Sequence, residues 1–128
     1  MLRCKFSLLA MMIAGTLGSA AAAKGAHPLA GAYSGEIYGS RLFLDVLNNG
    51  RVNGAWGLIL DGGWIGSGRI SNDGRLRMTL TYQGIGVKGK RPHRFDAIGQ
   101  LGLDEYGSLV GVVQFEGADP QQVVLVRQ

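Results

Sequence analysis

The densest reactive chemistry in the chain is the stretch Lys88-Gly89-Lys90-Arg91-Pro92-His93-Arg94. It places four cations and one histidine within seven residues. Such a cluster attracts phosphate, carboxylate, anionic lipid or an acidic protein surface. The cations alternate with glycine and proline, and no aromatic side chain interleaves to stack on bases, which argues against nucleic acid. A solvated connection between strands has the same composition. The stretch is therefore read as a candidate binding segment (Lys88, Lys90, Arg91, His93 and Arg94) for an anionic surface or a protein partner, with the solvated connection kept as the alternative.

Catalytic chemistry has less support. Only His27 and His93 are present, and they do not form a ligand-spaced pair. The serines lack a G-x-S-x-G elbow. Asp61, Asp73 and Asp104 sit at turn signals, where an aspartate side chain supports the turn. No helix follows the glycines to make a phosphate loop. No metal site or cofactor is expected. A small enzyme with a site assembled from several strands stays as a second alternative, because spacing cannot reveal residues that only folding brings together.

The chain opens with Arg3 and Lys5, an apolar run from Leu8 to Leu17, and small residues in which Ala21 and Ala23 fit an A-x-A cleavage site. That order predicts a signal peptide over 1–23 and export to a periplasm or the extracellular space. The only cysteine, Cys4, leaves with it, so the mature chain has no disulfide and no thiol chemistry. Without Arg3 and Lys5 the thirteen basic residues become eleven, against nine acidic ones. The mature body is near neutral and carries one local positive cluster, unlike a general nucleic-acid binder.

These groups need a scaffold, and the pattern predicts an all-β one. Residues 24–30 read as a flexible leader, followed by a β-barrel domain over 31–128. Twenty-two glycines, spread along the chain, would weaken any helix. Eight strands are expected: Gly31–Tyr38, Arg41–Leu47, Arg51–Leu60, Trp64–Ser71, Arg75–Gln83, Arg94–Leu103, Ser108–Glu116 and Gln122–Arg127. Turn signals such as Asn49-Gly50, Asp73-Gly74 and Tyr106-Gly107 separate them. Consecutive hairpins make an antiparallel meander, and eight strands on so short a chain should close into a small single-domain barrel. Period-two rows mark the inward faces: Val52, Gly54, Trp56, Leu58 and Leu60; Leu76, Met78, Leu80 and Tyr82; Phe95, Ala97, Gly99, Leu101 and Leu103; Leu109, Gly111, Val113 and Phe115. A loose repeat links "LNNGRVNGAWG", "ISNDGRLRMTL" and "LDEYGSLVGVV", as any string of hairpins would.

Tyr33, Trp56, Trp64 and Tyr82 fall in inward rows. They either fill the core or line a ligand cavity at one barrel end, with Ser34, Tyr38 and Ser40 as polar contacts. The opening Gly31-Ala32-Tyr33, together with the meander, resembles the G-x-W/Y start of calycin-type barrels, the lipocalin and avidin group. The likeness implies a barrel; no ligand or binding residue is carried over from it. A membrane-spanning barrel is disfavoured because Arg51, Arg69, Arg75, Arg77 and Asp96 point outward, where lipid would penalise them. Ile98, Val110 and Val112 also point outward on adjacent strands and could support a homodimer or a protein contact. The function expected is non-catalytic binding of a protein partner through the loops, as an inhibitor or accessory factor. The alternative is a carrier of a small apolar or amphipathic ligand at one barrel end.

Overall fold

The computed structural model describes residues 26–60, 62–84 and 93–128. The signal segment, the Asp61 turn and Lys88, Lys90 and Arg91 lie outside the described residues. Eight strands follow in chain order: β1 (Gly31–Ile37), β2 (Ser40–Val46), β3 (Arg51–Ile59), β4 (Gly62–Ile70), β5 (Arg75–Gly84), β6 (Arg94–Leu103), β7 (Leu109–Phe115) and β8 (Gln121–Arg127). Each pairs antiparallel with its chain neighbours, and β8 returns to β1, closing the barrel. The expected all-β, eight-strand antiparallel meander is the architecture found, and the described residues contain no helix.

The turns fall into two sets, one at each end of the barrel. At one end, β2–β3, β4–β5 and β6–β7 are joined by the same device. Gly50, Gly74 and Gly107 have φ of 85°, 91° and 80°. The backbone bonds repeat too: Gly50 N–H to Leu47 O, Gly74 N–H to Ser71 O, and Gly107 N–H to Asp104 O, at 2.9, 2.9 and 3.1 Å. A type I turn followed by a left-handed residue has the hand needed to continue a twisted hairpin. The loose repeat in the sequence is thus one turn type used three times. Asp104 Oδ1 accepts from Tyr106 N and Ser108 N, both at 2.9 Å, confirming its turn role.

Residues 26–30 lie across this same end, called here the leader end. His27 and Leu29 are buried. His27 N–H donates to Asn48 O at 3.0 Å, and its Nε2 bonds Ile70 O at 3.0 Å. Leu29 N–H donates to His27 Nδ1 at 3.0 Å. These partners require a neutral ring with its proton on Nε2. The last residues of the leader are therefore tied to two of the three turns.

The core is a cluster of apolar side chains. Leu42, Leu44, Val52, Leu80, Leu109, Val113 and Leu125 are at most 1% exposed. Bare positions make room for larger neighbours: a Cβ on Gly54 would stand 2.7 Å from Met78 Cε, and one on Gly66 2.9 Å from Leu80 Cγ. Arginines 51, 69, 75 and 77 face outward and are exposed. Arginines at such outward strand positions are costly in lipid.

One inward row departs from expectation. Leu58 and Leu60 are on the surface, 53% and 101% exposed. The pairing of β3 with β4 shifts register between Trp56 and Ile59, and Gly57 at φ 63° forms the break. The extra residue breaks the alternation, and beyond it Leu58, Ile59 and Leu60 are all exposed at the hairpin tip. Leu103, expected inward at the end of its strand, is also exposed.

The turn geometry separates conformational strain from crowding. Gly107→Ala should cost about 1–2 kcal/mol from its left-handed backbone alone, since the nearest atom to a new Cβ is Arg127 Nε at 3.6 Å. Gly74→Ala should cost clearly more, because a Cβ there would meet Leu101 O at 1.7 Å. Urea midpoints of the two variants check this ordering.

Candidate functional site

The end opposite the leader carries the connections β1–β2, β3–β4, β5–β6 and β7–β8, and is called the loop end. Its floor is a continuous set of rings. Trp64 meets Tyr82 at 5.3 Å and Phe95 at 4.8 Å; Phe95 meets Phe115 at 4.8 Å; Trp56 stands edge-on to Phe115 at 5.1 Å; Tyr38 closes the set against Phe115 at 4.7 Å. Trp56 Nε1–H donates to Ile37 O at 2.9 Å, which satisfies the indole where it is half-buried. Tyr38 sits at φ 50°, and its hydroxyl donates to Asp119 O and accepts from Phe115 N–H. It staples the β1–β2 turn to the β7–β8 turn.

Trp56, Trp64 and Tyr82 are therefore together, as expected, and they pack on Phe95 and Phe115 as a filled floor. Tyr33 is not with them. Its hydroxyl donates to Leu29 O at 2.7 Å and accepts from Arg127 Nη2 at 3.0 Å, at the leader end. Arg127 also lies 5.0 Å from its ring centroid. Alternation assigns a face but not a height along the barrel axis, which is why the four rings looked alike in the sequence. Ser34, expected near a cavity, accepts from Arg41 Nη1 on the outer wall at 3.3 Å.

Above the aromatic floor stands the β3–β4 hairpin. Leu58, Ile59 and Leu60, at 53%, 69% and 101% exposure, form an unbroken apolar run at its tip. Gly62 pairs with Gly84, so this tip stands beside the point where the chain leaves β5 toward the basic segment. Of that segment the structure describes His93 and Arg94. Both are exposed, and His93 O accepts from Tyr82 N–H at 2.9 Å. Lys88, Lys90 and Arg91 lie outside the described residues. The sequence reading missed the apolar tip because it assigned Leu58 and Leu60 to the core. The signal was Gly57, interrupting the strand just after Trp56.

Among the described residues no three of His, Cys, Asp and Glu converge. Asp73 accepts from the Ser71 hydroxyl, which holds its carboxyl below the usual range. Asp96 accepts from Thr79 Oγ1 at 2.7 Å. The outer wall carries a groove of about 500 Å³ over β5–β7 and another of about 340 Å³ over β1–β3. Ile98 and Val112 are exposed beside the larger groove, Val110 is half-buried, and Val124, opposite Val110, extends the apolar surface.

No protein-family model, no curated protein and no solved structure matches this chain.

Two predictions separate the floor from the cap at the leader end. Trp56→Ala should cost about 3–5 kcal/mol, whereas Arg77→Ala on the outer wall should cost less than about 1, read as urea midpoints. Burial raises the Tyr33 hydroxyl above its usual value, with Arg127 opposing part of the rise. Its stabilising contribution is then intact below about pH 10 and lost as pH rises through the higher folded-state value. The unfolding midpoint should fall above about pH 10, and Tyr33→Phe should flatten that fall.

Proposed function

We propose that this chain is an exported, non-catalytic binding protein that recognises a protein partner through the loop end of its barrel. The reading of export rests on the signal-type segment over 1–23 and places the protein in a periplasm or outside the cell. The observation that carries the binding role is the exposed run Leu58-Ile59-Leu60 beside the root of the basic segment. Three consecutive exposed apolar residues at a hairpin tip work against solubility unless something covers them. Arg94 at the start of β6, and the Lys88, Lys90, Arg91 and His93 that precede it in the chain, supply charge that would steer and orient an acidic partner. Apolar anchors flanked by charge are the usual division of labour at an interface.

The packed aromatic floor supports this reading over a carrier of a small ligand. Trp56, Trp64 and Tyr82 spend their surfaces on Phe95, Phe115 and each other. A partner would dock on the rim above them.

The test compares the wild type with two variants, Leu58→Ser/Leu60→Ser and Lys88→Gln/Lys90→Gln/Arg91→Gln. Partners are recovered from extract of the producing cell's envelope or medium at low and high salt. Both variants should lose the wild-type partner while keeping their thermal midpoints, because neither alters the core. The loss from the triple variant should shrink as salt rises and screens the wild-type attraction. Equal recovery by all three proteins would overturn the proposal.

A further inference from the structure

A second surface, on the outer wall over β5–β7, has its own unbalanced chemistry. Arg51 on β3, Arg69 on β4 and Arg77 on β5 are direct lateral partners in the sheet. Adjacent strands are about 4.8 Å apart, so three arginines leave the sheet side by side on the outer wall. Like charges directly opposite one another weaken a sheet. Among the described residues none of the three makes an ion pair, whereas Arg75 pairs with Asp73 at 3.8 Å.

The row ends at a groove. Arg77 is opposite Ile98 on β6, and Arg75 is opposite Gln100, which in turn is opposite Val112 on β7. Two arginines thus form one side of the 500 Å³ groove, and Ile98 and Val112 supply apolar surface beside them. Its polar side chains are held in place. Gln100 Nε2–H donates to Asp73 O at 2.6 Å, and Gln114 Nε2–H donates to Ala118 O at 2.8 Å. The groove is preformed, and its volume lies within the range of small-molecule sites.

We infer that this groove binds an anionic amphiphile, with a carboxylate or phosphate head against Arg77 and Arg75 and an aliphatic chain along Ile98 and Val112. Guanidinium groups bind both heads through paired hydrogen bonds. A peptide strand fits less well. The barrel is closed, so it offers no sheet edge to pair with a peptide backbone. The concave shape also suits a single molecule better than a flat bilayer.

The test titrates purified protein with dodecanoate and with dodecyl phosphate, each below its micelle concentration, following backbone amide shifts on β5–β7. Dodecanol and acetate serve as the headless and tailless controls. At least one anionic amphiphile should bind more tightly than either control, and the stronger of the two identifies a free acyl carboxylate or a lipid phosphate as the source. Arg77→Gln should weaken that binding about 10-fold or more, and Ile98→Ser should weaken it by a smaller factor, both with unchanged thermal midpoints. Dodecanol binding as tightly as the anionic probes would overturn the inference. So would equal affinity in Arg77→Gln, shifts confined to the loop end, or concentration-dependent self-association that covers Ile98 and Val112.

Discussion

The seam between β1 and β8 is the contact on which the rest of the structure depends. Seven other pairings join strands consecutive in the chain, but this one joins the first strand to the last. It is also short. Tyr33 pairs with Arg127 and Ser34 with Val126, and Gln128 N–H donates to Ala32 O at 2.8 Å. Side chains reinforce it. Arg127 reaches Tyr33 through Nη2 at 3.0 Å and Ala30 O through Nη1 at 3.2 Å, so one residue of the last strand grips both the first strand and the leader. Without the seam, two apolar strand edges would be open to pairing with other chains. With it, the barrel encloses one core, and His27 and Leu29 cover the end at which the seam is gripped.

Most of this architecture was legible in the sequence, for identifiable reasons. Strand identity came from period-two rows such as Leu76, Met78, Leu80 and Tyr82, which alternate with Arg75, Arg77, Thr79 and Thr81. Strand limits came from glycines whose left-handed backbone ends a hairpin, as at Gly50, Gly74 and Gly107. Closure followed from the number of strands. What alternation could not carry was position along the axis. Tyr33 and Trp56 are both inward, yet one belongs to the cap at the leader end and the other to the floor at the loop end. Alternation also fails wherever a residue is inserted. Gly57 resets the phase, and the strongest surface feature of the loop end was hidden among expected core residues for that reason.

The candidate surfaces were legible in part. The outward placement of Arg51, Arg69 and Arg77 was expected, but their alignment was not. Lateral alignment depends on the stagger of three strands, which no single strand encodes. Similarly, Ile98, Val110 and Val112 were read as a patch from alternation alone. The structure adds Val124 to it and sets Arg77 at its edge.

A closed barrel around an apolar core restricts how such a protein can recognise anything. Its interior is committed to stability, and it has no free strand to lend. Recognition must then use side chains on the loops or on the outer wall, supported by a sheet that does not need to move. The two candidate surfaces share β5. Arg94 at the root of the basic segment is opposite Thr81, and Arg77 lies four residues further along, about 13 Å at the rise of a strand. At that separation, substitutions at sites without shared partners act independently. A variant that empties one surface should therefore leave the other intact, so the same molecule could hold a partner on its rim and an anionic amphiphile on its flank.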